Sequence, residues 1–288
     1  MTKNGVLGGV LVSALIVSGG ALAQTPPKPP AGKIAATTAK VKIDPKEAND
    51  ALKSSDATRI ESTLGTIRVA GKDGGGKPFT GAIVARLKAG LSKSLIVKAL
   101  DTLAELEDQA GAEAGDMYLA HRDGEVRQAA VRCLGGSKGP VAVKGLQKAL
   151  TDPDGRVRGL AATVLGGTKA ADAVPMLVVA LDKGVNEAAV SIGQLCTTAP
   201  GDKSCDVLLD RMKSKPFDVI SSGLGQMLAR KDVSDDAKKK VITQVRELAS
   251  QKAREFLVEI KTSWPKDGSK AVLDALDKAI KDLEGASK

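Results

Sequence analysis

The residues able to do chemistry are few and scattered. The chain holds one histidine, His121, and three cysteines, Cys133, Cys196 and Cys205. A structural zinc site takes four thiolate or imidazole ligands and a histidine-based triad takes a nucleophile beside its base, so this inventory supplies little for either. No second histidine and no nucleophile stands at a recognisable spacing from His121, which reads as a loop or ladder residue. Gly71-Lys72-Asp73-Gly74-Gly75-Gly76-Lys77-Pro78 fits G-x-x-x-x-G-K but ends in proline. A phosphate loop has Ser or Thr there to hold magnesium, and proline also removes a backbone donor from the cradle. The stretch instead reads as an exposed, basic, glycine-rich insertion able to contact a partner. No catalytic residue, cofactor site or metal site is expected.

The elements that would have to position such groups are helices. Hydrophobic residues make up 42% of 288, yet only five are aromatic: one Trp, one Tyr and three Phe. A core of Ala, Val, Leu and Ile suits closely packed helices better than strands, which favour aromatic and β-branched side chains. A mean hydropathy of −0.06 excludes a polytopic membrane protein.

Residues 1–23 read as a signal peptide. Lys3 precedes an apolar run from Val6 to Val17, Gly19-Gly20 breaks it, and Ala21-Leu22-Ala23 offers the small residues a signal peptidase reads. Cleavage between Ala23 and Gln24 is expected, with an exported, periplasmic or secreted product; the alternative is an uncleaved anchor. Residues 24–46 carry Pro26, Pro27, Pro29 and Pro30 and read as a flexible proline-rich linker, or more sharply as a docking ligand.

Export permits disulfides. Cys196 and Cys205 flank the turn-rich TTAPGDKS, and a bridge across so short a loop would contribute about 2–3 kcal/mol on the chain-entropy model. A Cys196–Cys205 disulfide is expected, with two buried free thiols as the alternative. Cys133, within AAVRCLG, reads as a small buried residue. CxxC spacing, the mark of zinc or redox dithiol sites, is absent.

The main signal is a repeat. HRDGEVRQAAVRCLGG from His121 lies over DPDGRVRGLAATVLGG from Asp152, so that Val126 falls on Val157, Arg127 on Arg158, Leu134 on Leu165 and Gly135-Gly136 on Gly166-Gly167. The same shift, 157 − 126 = 31, carries Leu146 onto Leu177 and Leu150 onto Leu181. Self-similarity of this length marks stacked helical hairpins, none of which can bury its apolar face alone. Residues 139–150 and 171–181 read as short amphipathic helices, Asp154 as a cap, and Ala161-Ala162 as the site of close approach.

The run TDPDGRVRGLAATVLGG resembles the HEAT-repeat family, in the short form first noted in phycobilin lyases. The clearest matches cover 120–182, with looser echoes from about 47 to 285. The resemblance implies an all-α fold, a right-handed α-solenoid of stacked HEAT-like hairpins, six to eight in number. It also implies a structural ladder between repeats, formed by the turn Asp and the Arg six residues on. Asp152 and Arg158 match that pattern. In the preceding unit His121 takes the Asp position opposite Arg127, and Asp123 stands ready as a substitute.

The net charge is +9, lysine predominates, and Lys238-Lys239-Lys240 is the only solid run. A solvated helix face explains such lysines; attraction to anionic polymers or lipid surfaces is the sharper reading. Nucleic acid is not an expected partner, since aromatics for a groove are lacking. A lyase-like or DNA-glycosylase-like enzyme on this fold is the remote alternative, for architecture does not carry function. The expectation is a non-catalytic scaffold that binds another protein through the concave face of the solenoid, with basic-surface binding of anionic envelope polymers or lipids as the alternative.

Overall fold

The computed structural model describes residues 43–199 and 201–286. The segment read from the sequence as a signal peptide, its expected cleavage site between Ala23 and Gln24, and residues 24–42 of the segment read as a linker lie outside the described residues. Among the described residues there are fifteen α-helices, three short 3-10 turns and no strand. None of the helices is long and apolar enough to cross a membrane.

The helices pair in chain order: α1 (Pro45–Lys53) with α2 (Ala57–Ala70), α3 (Thr80–Lys88) with α4 (Lys93–Leu106), and α5 (Ala112–Tyr118) with α6 (Gly124–Ser137). Next come α7 (Gly139–Ala149) with α8 (Gly155–Gly166), α9 (Val174–Asp182) with α10 (Ala188–Leu195), and α11 (Asp206–Leu209) with α12 (Phe217–Ala229). The seventh pair is α13 (Asp235–Glu247) with α14 (Gln251–Thr262), and α15 (Lys270–Ala286) closes the stack against both. The odd-numbered helices form one row and the even-numbered helices the other. The chain is an all-helical solenoid.

Local sequence sets the helix ends. Asp44 caps α1, its carboxylate accepting from the amides of Lys46 and Glu47, with Pro45 in the first turn. The solenoid therefore starts at Pro45, two residues inside the segment read as linker. Asp56, Asp123, Asp154, Ser234 and Ser250 cap α2, α6, α8, α13 and α14 in the same way.

The two rows pack differently. Even-numbered helices meet at glycines: a Cβ at Gly136 would run into the backbone of Ala104, and Gly193 and Gly223 lie against one another's helices. Such backbone contact needs the smallest side chain. Grooves open between odd-numbered helices, about 230 Å³ between α1 and α3, 530 Å³ between α9 and α11, and 310 Å³ between α11 and α13. From α2 to α12 the even-numbered row is the more closely packed one, designated the inner row.

Between the rows runs the core, built as the composition requires from side chains such as Leu100, Leu103, Leu134, Leu146, Leu165 and Ile192, all fully buried. Phe79 is the one buried aromatic among the described residues. The others sit at the margins: Tyr118 donates its hydroxyl to the Leu87 carbonyl at 3.0 Å, and Phe217 meets Phe256 edge-on at 5.8 Å.

Candidate interaction surface

The repeat shift builds a column on the exposed face of the inner row. Asp101, Arg132, Thr163 and Gln194 succeed one another at 31-residue steps on α4, α6, α8 and α10. Their neighbours in space are tied together: Arg132 Nε donates to Asp101 Oδ1 at 2.8 Å, and the Gln194 amide reaches the Gln226 amide of α12 at 3.5 Å. Lys98 of α4 pairs with Glu61 of α2, Arg68 with Glu105 at 3.3 Å, and Lys252 of α14 with Asp218 of α12 at 2.6 Å. Exposed pairs of this kind contribute at most about 1 kcal/mol each. Their effect on the surface is to hold alternating charges at fixed positions on either side of α8, where Thr163 is exposed between Gly159, which has the Glu187 carboxylate against it, and Gly166, which is covered by Ser191 and Gln194.

The ladder between repeats takes a different form from the expected one. Arg127 pairs forward, its Nε and Nη2 donating to the two Asp152 carboxylate oxygens of the next unit at 2.8 and 2.9 Å. The same guanidinium reaches the carbonyls of His121 and Arg122 at 3.0 and 3.2 Å. Both side chains are nearly buried, 12% and 7% exposed. Arg158 repeats the carbonyl contacts, at 2.7 Å to Asp152 and 3.1 Å to Pro153, but lacks a forward carboxylate because Lys183 stands 31 residues beyond Asp152. Asp123 is not the partner of Arg127. It caps α6 and pairs with Lys93 at 2.8 Å, and that ammonium holds its carboxyl below the usual range. His121 takes part in its own turn, its Nδ1 accepting from the Asp123 amide at 3.1 Å.

Cys196 and Cys205 stand at disulfide distance, their Cα atoms 4.9 Å apart. Arg230 braces this corner by donating to the carbonyls of Gly193 and Cys196 at 3.0 and 2.7 Å, at the open C-terminus of α10. Cys133 is buried, and desolvation pushes its thiol up to about 12. Among the described residues no cluster of His, Cys, Asp or Glu is placed to hold a metal ion.

The two basic features of the sequence are each partly ion-paired, with Lys77 of the glycine-rich loop exposed and without an ion pair among the described residues. In the glycine-rich loop the backbone donors are spent internally, Gly74 N on Ala70 O and Gly76 N on Gly71 O, both at 2.9 Å. Lys72 from that loop pairs with Glu107 at 2.8 Å. Lys138 reaches the other side of the same carboxylate at 2.6 Å, and the two ammonium groups hold Glu107 at about 2. Of the Lys238–Lys240 run, Lys238 is buried with its ammonium 5.4 Å from the Trp264 ring centre. Lys239 and Lys240 pair with Asp236 and Asp206, each at 2.7 Å.

Sequence reasoning passed over the inner column, although the 31-residue shift that aligned Leu134 with Leu165 also aligns Arg132 with Thr163. Its residue types differ from step to step, and an exposed position that varies gives no periodic apolar signal.

A family model for HEAT repeats matches residues 112–191 and 143–229. No curated protein matches the chain. Among solved structures, an engineered protein is 18% identical with a TM-score of 0.45, covering 82% of this chain and 67% of that one. The complex of CpcE and CpcF of phycocyanin lyase from Nostoc sp. PCC7120 is 19% identical with a TM-score of 0.44, covering 84% and 95%. The karyopherin Kap121p, bound to the extreme C-terminus of the phosphatase Cdc14p, is 15% identical with a TM-score of 0.43, covering 82% and 29%.

Proposed function

Taking residues 112–229 as HEAT repeats within an all-helical solenoid, we propose that the protein is a non-catalytic scaffold of the cell envelope or secretome that binds another protein along its inner face. The observation that carries this reading is the column from Asp101 to Gln226: side chains in repeat register, on tightly stacked helices, with charges fixed by ion pairs and amides free to exchange hydrogen bonds. An extended surface of this kind is what stacked repeats offer a partner. It is rigid before binding, so little side-chain entropy is lost on docking.

Export after Ala23 is part of the proposal. It is supported by the short apolar run of residues 6–17 with small residues after it, and by a cysteine pair at bonding distance, which suits an oxidising compartment. The test is a crosslinking pulldown of the protein from its host, washed at low and at high salt. One protein recovered through the high-salt wash supports specific scaffolding. Recovery of only anionic material, lost in salt, overturns it.

A further inference from the structure

We propose that the outer faces of α7 and α9, with Met117 of α5, form a second docking surface whose partner is an anionic lipid bilayer. It lies on the row opposite the inner column and is independent of the scaffold reading.

The first observation is a group of three free lysines that stand beside exposed apolar side chains. Free charge alone does not single them out, since Lys46, Lys53, Lys77, Lys169, Lys203 and Lys213 are also exposed without an ion pair among the described residues. The inner-face lysines Lys98 and Lys252, the loop lysines Lys72 and Lys138, and Lys239 and Lys240 are each ion-paired. Lys144 and Lys148 on α7, and Lys183 at the end of α9, are exposed and make no ion pair or side-chain hydrogen bond with any described residue. Helix α7, GPVAVKGLQKA, contains no acidic residue. The one acid of α9, Asp182, is bound by Arg211 at 2.7 Å, and Glu113 of α5 by Lys88 at 2.7 Å. Asp116, the other acid of α5, is half-buried and lies against Gly145 of α7. Asp172, in the turn before α9, lines the groove between α9 and α11.

The second observation is the company these lysines keep. Val141, Lys144 and Lys148 stand at i, i+3 and i+7, one stripe of α7; Met176, Val179 and Lys183 repeat that spacing on α9. Val141 is 54% exposed, Val179 53%, Met117 42% and Met176 39%, four of the six large apolar side chains most open to solvent among the described residues. The 31-residue shift places Met117, Lys148 and Val179 at one level of three successive outer helices. Apolar tips interleaved with unpaired ammonium groups across several helices match a surface of acyl chains behind anionic headgroups, where lysines hold the headgroups and apolar side chains enter the boundary. A protein partner of acidic character would use the lysines but leave Val141, Met176 and Val179 without a role.

The experiment is co-sedimentation of the whole chain, as its host produces it, with vesicles of phosphatidylglycerol and phosphatidylcholine, against phosphatidylcholine alone and against a soluble polyanion, at low and high salt. The account expects binding to the anionic vesicles that weakens with salt. Lys144→Gln, Lys148→Gln and Lys183→Gln together should lower it on the order of a hundredfold, at about fivefold per lysine. Met176→Ser with Val179→Ser should lower it several-fold, while Lys239→Gln with Lys240→Gln leaves it unchanged. All these side chains but Lys239 are exposed, and a far-ultraviolet spectrum verifies that each variant is folded. Equal binding to phosphatidylcholine alone overturns the proposal, as does full binding by the triple lysine variant. So does polyanion binding as tight as vesicle binding, with the apolar substitutions silent in both.

Discussion

Replacing Asp152 by alanine tests whether neighbouring repeats are locked where Arg127 crosses between them. The substitution removes two guanidinium–carboxylate hydrogen bonds of 2.8 and 2.9 Å and the 2.8 Å bond that the Asp152 carboxylate accepts from the Asp154 amide. It leaves a guanidinium only 12% exposed, with two backbone carbonyls as its remaining acceptors. Breaking a buried pair from one side costs about 3–5 kcal/mol, and the retained carbonyl contacts argue for the lower end, about 3. Arg127→Met should cost a similar amount, and the double variant should lose less than the sum, with a coupling energy of about 1.5 kcal/mol or more. Urea unfolding followed by circular dichroism gives the energies, and native-state hydrogen exchange locates the loss, which should concentrate in α6–α8 because each repeat leans chiefly on its neighbours. A cost below about 1 kcal/mol, or additive behaviour of the two substitutions, would refute the rung.

Four further outcomes follow from the same geometry. Gly136→Val should cost at least about 3 kcal/mol, since its side chain would enter the Ala104 backbone, whereas Gly65→Ala, with open space around it inside α2, should gain about 1 kcal/mol; thermal unfolding compares them. Cys196→Ser with Cys205→Ser should lose about 2–3 kcal/mol in unfolding experiments under non-reducing conditions. Thiol titration of the native protein at pH 8 should find no reactive group, because Cys133 is buried and raised to about 12, and one group after denaturation. Glu107 is lowered to about 2 by Lys138 and Lys72, so its stabilising contribution is complete above its unfolded value of about 4.3 and is lost as pH falls from there toward 2. An NMR titration that finds Glu107 ionising near 4.3 in the folded chain would remove that claim.

The fold was legible where a repeated residue has one physical job. Val126/Val157 and Leu134/Leu165 recur because each fills the same core position, and all four are fully buried. The turn acids Asp123 and Asp154 act as caps for the same reason. The paired glycines recur without sharing a contact, Gly136 lying against the Ala104 backbone while Gly167 is exposed. The direction of the ladder was not legible. The carboxylate of Asp152 is as close in sequence to Arg158 as the repeat pattern suggests, yet it is claimed by Arg127, 25 residues back, and only stacking determines which arginine arrives. The partners of the basic run at 238–240 were not legible for a related reason: composition counts lysines, and pairing with Asp206, Asp236 and the face of Trp264 depends on tertiary packing. The unpaired lysines of α7 are identical in sequence to paired ones.

The most direct test of the scaffold reading is site-specific photocrosslinking in the host, with a photoreactive side chain at Thr163 in the inner column or at Thr243 on the outer helix α13, both exposed. The account predicts one protein of defined size crosslinked from Thr163, resistant to a high-salt wash, and none from Thr243. The same product from both positions, or none from Thr163, would contradict it.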